Sequence, residues 1–246
     1  KDKKCPECKG DFMKPKQFNL MFETNLGPVE DSASTIYLRP ETAQGIYVNF
    51  ATIQKSMRMK VPFGIAQIGK AFRNEITPGG FTFRTVEFEQ AEQQFFIKPK
   101  EDTKWFKHWK KERINWYLSL GFNKKNLRFK KHDKLAHYAK AAEDIEYNFP
   151  MGWSEVEGIH NRGEWDLSQH IKFSKQDLQY FDEEKKEKFT PYIIETSMGV
   201  DRITLALLLD AYDEVETRSG KDDTKKRSGS SNGDDVFIRI RRPNSL

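Results

Sequence analysis

Arg73, Glu75, Arg84, Phe88, Gln90 and Glu92 crowd chemistry-bearing side chains into one short stretch. Two guanidiniums are fixed cations that fork onto phosphate or carboxylate oxygens. A phenyl ring offers a stacking face, and carboxylates suit an ammonium group or a divalent cation. On a strand, side chains alternate between faces. Arg84, Val86, Phe88, Gln90 and Glu92 therefore share one face of a strand, and Gln67, Gly69, Ala71 and Arg73 share one face of another, with Glu75 at a loop edge. Paired as a hairpin, they form a surface of two arginines, a phenylalanine and carboxylates over a floor of small residues. Spacing alone leaves open a solvated sheet face with scattered ion pairs.

Two other patterns invite chemistry and carry less. Gly64-Ile-Ala-Gln-Ile-Gly69-Lys70-Ala71 fits G-x-x-x-x-G-K but lacks the final Ser/Thr that ligates Mg²⁺. Its interior Ile-Ala-Gln-Ile has strand character, without the glycines that turn backbone amides onto a phosphate. We read it as a strand containing a glycine. Cys5-Pro-Glu-Cys8 is half of a tetrahedral zinc site, and His108, His132, His137, His160 and His170 are too scattered in sequence to complete it. Zinc is therefore not expected in this chain.

The elements that must position these residues follow from periodicity. Thr35–Arg39 reads as a strand ended by Pro40. Ala43, Ile46, Phe50, Ile53 and Met57 recur at helical spacing, with Thr42 as the expected cap and Pro62 as the stop. Phe63–Arg73 and Phe81–Ile97 read as long strands joined through Pro78-Gly79-Gly80 turn chemistry. Residues 101–120 return to helical spacing and end at Gly121. Strand-like runs follow at Asp144–Phe149, Trp153–Ile159 and Tyr192–Thr196, and Gly199 opens an apolar helix from Val200 to Tyr212. Arg218–Asp235 is rich in Ser, Gly, Lys and Asp and reads as a flexible linker before a short strand, Val236–Ile240. Long antiparallel strands with interspersed helices predict an α+β domain. The division is an N-terminal segment 1–34 with the CxxC half-site, a core 35–214, and a linker and tail 215–246.

Composition bounds the answer. The 246 residues carry 42 Lys plus Arg against 37 Asp plus Glu, a formal charge of +5. Nineteen Phe, eight Tyr and five Trp supply enough bulk for a core, which excludes wholesale disorder. No run approaches the ~18 apolar residues of a membrane span, and two cysteines in one CxxC are no disulfide framework. An intracellular, cytoplasmic protein is expected, and the basic excess permits a nucleic-acid partner.

Phe72-Arg73-Asn74-Glu75, a glycine-containing loop, then Arg84-Thr-Val-Glu-Phe88 resembles motif 2 of class II aminoacyl-tRNA synthetases, here spanning about 63–97. Gly199-Val-Asp-Arg202, after the strand Tyr192-Ile-Ile-Glu195, is similar to their motif 3, about 191–212. Leu38-Arg-Pro-Glu-Thr-Ala-Gln-Gly45, the 64–78 run and Asp144-Ile-Glu-Tyr147 resemble the dimeric glycyl-tRNA synthetases in particular. The resemblance implies the class II catalytic fold, an antiparallel sheet flanked by helices, and an enzyme that activates glycine with ATP and charges tRNA(Gly). Mg²⁺ is implied as the companion of ATP, and a homodimer is implied for the family.

The same resemblance implies residue roles. Arg73 grips the α-phosphate and the amino-acid carboxylate, Arg202 neutralises the far end of the triphosphate, and the two are the catalytic cations. Adenine stacks on Phe88, with Arg202 completing the sandwich; Asn74, Glu75, Phe83, Arg84, Val156 and Gly199 complete the ATP site. Glu155 is the expected Mg²⁺ ligand, with Glu157, which shares its parity in a regular strand, as second choice. Glu41, Glu92 and Glu195 surround the glycine ammonium, with Ser197, Phe88 and Gly199 nearby. Glu41 read by itself is equally a carboxylate beside a helix N-terminus. Three carboxylates around one small cation raise one another's pKa values when the pocket is empty. Selectivity for glycine then rests on filling the space that a methyl group needs.

The sequence also departs from the family pattern. Thr196 stands where Pro is usual after the pocket Glu, and His160 where a small residue is usual. The resemblance starts after motif 1, the dimerisation element, and stops at the approach to the anticodon-binding domain, so a catalytic-core fragment or a shortened protein is expected. The competing reading is a non-catalytic, synthetase-derived module on nucleic acid, such as a polymerase accessory subunit. A sister synthetase for Ser, Thr, Pro or His suits the ATP motifs but not the all-glutamate pocket.

Overall fold

The computed structural model describes residues 4–14, 17–28, 33–136, 139–216 and 236–240. Its centre is a six-stranded antiparallel sheet. The strands are β3 (Phe63–Phe72), β4 (Glu87–Ile97), β5 (Leu127–Lys131), β6 (Ala141–Phe149), β7 (Gly152–Gly163) and β10 (Tyr192–Gly199), in the spatial order β3-β4-β10-β7-β6-β5. Two-stranded ribbons flank it: β1 (Glu23–Asn25) with β2 (Thr35–Tyr37), β8 (Tyr180–Asp182) with β9 (Glu187–Phe189), and β11 (Tyr212–Glu216) with β12 (Val236–Ile240). The linker expected at 218–235 lies outside the described residues. β1–β2 pairing and the Asn74 side chain, which donates to the carbonyls of Asn19 (2.9 Å) and Met21 (3.1 Å), tie the stretch before residue 35 to the core.

Alternation assigns each strand two faces, and the helices choose between them. On one face α2 (Asp102–Ser119) and α4 (Val200–Ala211) cover Ile97, Ile145, Val156, Ile159 and Ile194. On the other, α1 (Ala43–Ser56) and α3 (Trp165–Ser174) cover only one end, packing Ile46, Tyr47, Phe50 and Leu167 against Phe63, Phe96 and Ile193. The rest of that second face stays open. Odd positions of β10 and even positions of β4 point into the opening, so it is lined by Glu195, Ser197 and Gly199 beside Phe88, Gln90 and Glu92.

The long hairpin forms as the sequence predicts. Gln67 pairs with Glu92, Gly69 with Gln90 and Ala71 with Phe88, placing the two small residues beside Gln90 and Phe88 on one face. The second strand begins at Glu87 instead of Phe81, because residues 81–86 turn to bring Arg73 N to Val86 O (2.9 Å). The near-Walker run is a strand, and Gly69 has a steric reason. A Cβ there would lie 2.5 Å from Arg39 Nη2, whose guanidinium is anchored by Nε on Lys70 O (2.6 Å). Thr42 occupies the N-cap position of α1 without capping it: its hydroxyl donates to Glu92 Oε2 instead. Gly121 ends α2 at φ +94, the left-handed conformation expected of it. α3, β1, β5, β11 and the β8–β9 ribbon were not foreseen.

Candidate active site

One cavity on the open face gathers most of the expected residues. Glu41, Arg73, Glu75, Phe83, Arg84, Phe88, Glu92, Glu155, Glu195, Ser197, Gly199 and Arg202 all line it. Three of the expected residues do not. Asn74 is turned to the N-terminal segment, as above. Val156 is buried in the core under α2 and α4. Glu157 is also buried, its carboxylate held by both Arg113 Nε (2.6 Å) and Nη2 (3.1 Å) from α2. A β-bulge causes this separation: Ile145 pairs with Glu157 but Glu146 pairs with Glu155, so one extra residue in β7 sends Glu155 and Glu157 to opposite faces. The parity argument that grouped them fails for that reason, and the two do not form a common cation site.

The cationic end is built from the hairpin and the start of α4. Arg73 donates from Nε to Pro40 O (3.0 Å) and its Cζ sits 5.2 Å from the Phe88 ring centroid. Arg202 donates to the carbonyls of Phe83 (3.2 Å) and Glu155 (2.9 Å), and its Cζ stacks 4.2 Å from the Phe83 ring centroid. Thus Arg202 rests on Phe83, while Arg73 rests on Phe88. Phe83 is itself held edge-on against Phe149 of the core, at 5.1 Å. Asp201 joins the two halves, its Oδ2 accepting from Glu89 N at 2.9 Å. Burial and the neighbouring Arg84 and Arg73 cations lower the Arg202 guanidinium from its ordinary value, with Glu155 opposing. Such crowding of like charges is characteristic of a polyanion receptor.

The acidic end differs in one respect from the sequence expectation. Glu41, Glu92 and Glu195 do converge, yet the protein supplies its own cations to Glu195. Glu195 Oε2 accepts from Arg162 Nη1 (2.8 Å) and Gln94 Nε2 (2.7 Å), and Oε1 from His160 Nδ1 (2.8 Å). Burial alone would raise the Glu195 carboxyl, but these partners hold it down at about 2. Arg162 is in turn fixed by two bonds to Asp166 of α3, at 2.7 and 2.8 Å. His160 keeps its proton more strongly than usual: burial opposes this, and the bond to Glu195 outweighs it. Glu92 lacks any such cation. Burial and the charges of Glu195 and Glu41 push it up to about 7, although Thr42 and Ser197 bond to it. Gln90 bridges the group, donating to Glu92 Oε1 (3.2 Å) and Ser197 Oγ (2.9 Å). Glu41 accepts from Gln44 at 2.8 Å.

Sequence reasoning missed His132, Asp144, His160, Arg162 and Asp201 as lining residues. Two signals were available. Asp201 sits inside the Gly-Val-Asp-Arg run, and His160 is one of the noted departures. Arg162 gave none, because its role depends on α3. Cys5 and Cys8 lie apart from this cavity, with Cys8 exposed and Cys5 partly buried. Among the described residues, no helix is long and apolar enough to cross a membrane.

The sequence and the fold match known proteins. Residues 22–212 match the family model of the class II tRNA synthetase core domain (G, H, P, S and T). Curated relatives include a glycine–tRNA ligase of Geobacillus thermodenitrificans, 57% identical over 219 residues, covering 88% of this chain and 47% of the relative. A second, from Streptomyces coelicolor, is 54% identical over 234 residues, covering 92% and 51%. The chain thus spans about half the length of the curated relatives it matches. Among solved structures, a prolyl-tRNA synthetase of Giardia lamblia in complex with prolyl-adenylate superposes with a TM-score of 0.60 at 19% identity, over 77% of this chain and 37% of that one, a likeness of fold. With the motif 2 hairpin, the Gly199–Arg202 turn and the cavity between them in place, the chain belongs to the class II aminoacyl-tRNA synthetases, as a core domain whose sequence is similar to that of glycine–tRNA ligases.

Proposed function

We propose that this chain is the catalytic core of a glycine–tRNA ligase, with residues 35–214 forming the core, and that it acts in the cytoplasm. Glycine and ATP react in the cavity to give glycyl-adenylate and pyrophosphate, and the terminal ribose hydroxyl of tRNA(Gly) then takes the glycyl group, releasing AMP. The carrying observation is the polarity of the cavity, cationic at Arg73, Arg84 and Arg202 and acidic at Glu41 and Glu92. A triphosphate bridges naturally to a small zwitterion across such a gradient.

Arg73, beside Glu41 and Phe88, is the cation for the α-phosphate and the glycine carboxylate; Arg84 and Arg202 take the rest of the triphosphate. Phe88 supports adenine, with Glu75 and Phe83 at its margin. The glycine carboxylate attacks the α-phosphorus in line, so catalysis is positioning and charge stabilisation and needs no protein nucleophile. Glu92 and Glu41 receive the ammonium, with Ser197 and Gly199 alongside. Glu195 is already saturated by Arg162, His160 and Gln94, which makes it a rigid wall more than a direct ligand. That wall supports selection of glycine by exclusion. Mg²⁺ would take oxygen ligands from the phosphates, water and the half-exposed Glu155 carboxylate, which lies 3.8 Å from Arg202 Nη1. The family's homodimer is a further part of the reading, although the motif 1 interface on which the family dimerises is absent from this sequence.

Glycine-dependent ATP–pyrophosphate exchange tests it. Exchange is expected with glycine well above alanine or serine. Equal exchange with alanine and glycine would remove the exclusion argument and leave the fold.

A further inference from the structure

His132, Asp144 and His160 meet on the wall of the cavity, each offering one ligand atom, all within 4.8 Å of one another. They are separated in sequence and come from β6, β7 and the residue that follows β5. Asp144 on β6 pairs with Gly158 on β7, His160 stands two residues along β7, and His132 follows β5, its N–H bonding to Ala142 O at 3.1 Å. The three therefore project to the same, open face.

Three features distinguish the trio from a chance cluster. His160 gives Nδ1 to Glu195 at 2.8 Å, which leaves Nε2 as the nitrogen turned towards Asp144. A carboxylate behind an imidazole is the outer partner that orients metal-bound histidines. Gly158 leaves room where the ligand atoms converge: a Cβ there would lie 2.8 Å from His160 Cε1, 3.3 Å from Nε2 and 3.6 Å from Asp144 Oδ1. Finally, His132 Nε2 and Asp144 Oδ2 lie 2.7 Å apart, so a ring nitrogen and a carboxylate oxygen already face each other at the site. The imidazole centroids stand 5.9 Å apart at 81°, an arrangement that two nitrogens on one ion tolerate.

We propose that His132, Asp144 and His160 form a binding site for a borderline divalent cation of the Zn²⁺ or Co²⁺ type, with a coordination position open to the cavity. Two imidazoles and one carboxylate select such ions over Mg²⁺, which prefers an all-oxygen shell. With metal–nitrogen bonds of about 2.0–2.1 Å, ligand atoms on one tetrahedral ion lie about 3.4 Å apart, so the widest spacing in the trio closes by about an ångström on binding. The site is independent of the glycine-ligase reading, since it rests on geometry alone. It is also distinct from Cys5–Cys8.

The test uses the full chain carrying Cys5→Ser and Cys8→Ser, so that no thiolate competes. Co²⁺ is titrated while visible d–d absorption and binding heat are followed. One ion per chain is expected, with bands typical of nitrogen and oxygen ligands, and Zn²⁺ should displace it. His132→Ala and Asp144→Asn, added to that background, should each weaken binding by roughly a hundredfold. X-ray absorption of the parent should show the outer-shell scattering of two imidazoles, which keeps the proposal testable if a variant fails to fold. Absence of saturable binding at millimolar Co²⁺, affinity indifferent to both substitutions, or a spectrum without imidazole scattering would each overturn it.

Discussion

Glu195 Oε1 accepts a hydrogen bond from His160 Nδ1 at 2.8 Å, and these residues stand directly opposite each other on neighbouring strands β10 and β7. The histidine that looked like a departure from the family is thus a built-in partner of the buried acid. Glu195 has two further donors, in Arg162 and Gln94, so both carboxylate oxygens are held.

Glu195→Gln is accordingly expected to destabilise the domain by about 3–5 kcal/mol, because Arg162 and His160 stay buried beside a neutral amide. Urea unfolding measures it. A loss below about 1 kcal/mol would show that the network contributes little.

Glu92 sets a pH dependence. Its folded value of about 7 lies above the ordinary 4.5, because of burial and the charges of Glu195 and Glu41. The protonated form is favoured on folding, so its contribution is complete below about pH 4.5 and is lost as pH rises through about 7, on the order of 3 kcal/mol in all. Binding runs the other way. Glycine's ammonium requires the carboxylate, so kcat/KM for glycine should climb with pH and level off above about 7. Glu92→Gln should flatten that limb while lowering its plateau; an unchanged limb in the variant would assign the titration elsewhere.

Arg73→Ala removes the cation placed between Pro40 O and Phe88. Pyrophosphate exchange should fall by about 10²–10³-fold, chiefly in kcat, since the charge it meets develops during transfer. A change confined to the KM of ATP would make it a ground-state binding group only.

Asp201 connects the two motifs through Glu89 N at 2.9 Å. Asp201→Ala leaves that amide without its partner, at about 1–2 kcal/mol, and lets the adjoining Arg202 drift. The kcat/KM for ATP is expected to drop by about tenfold or more while glycine's KM holds. Parallel loss in both would point to general unfolding of the site, and a thermal melt separates the cases.

What could be read directly from the sequence is what depends on local period and local chemistry. Strand alternation put Phe88, Gln90 and Glu92 on one face and Gln67, Gly69 and Ala71 on another, and the observed register joins the two faces as one surface. Helical spacing located α1, α2 and α4, since apolar repeats and terminal glycine signals are properties of neighbouring residues. Motif spelling then carried the family. Tertiary structure alone decided the rest. A single bulge between β6 and β7 turned Glu157 away from Glu155, because one inserted residue inverts every later face. The cations that tame Glu195 come from β7, steadied through Asp166 of α3, and Thr42 left its cap to serve Glu92. His132, Asp144 and His160, scattered along the chain, become neighbours only when three strands align. Long-range pairing creates these electrostatic partnerships, and linear spacing holds no record of which charge will meet which.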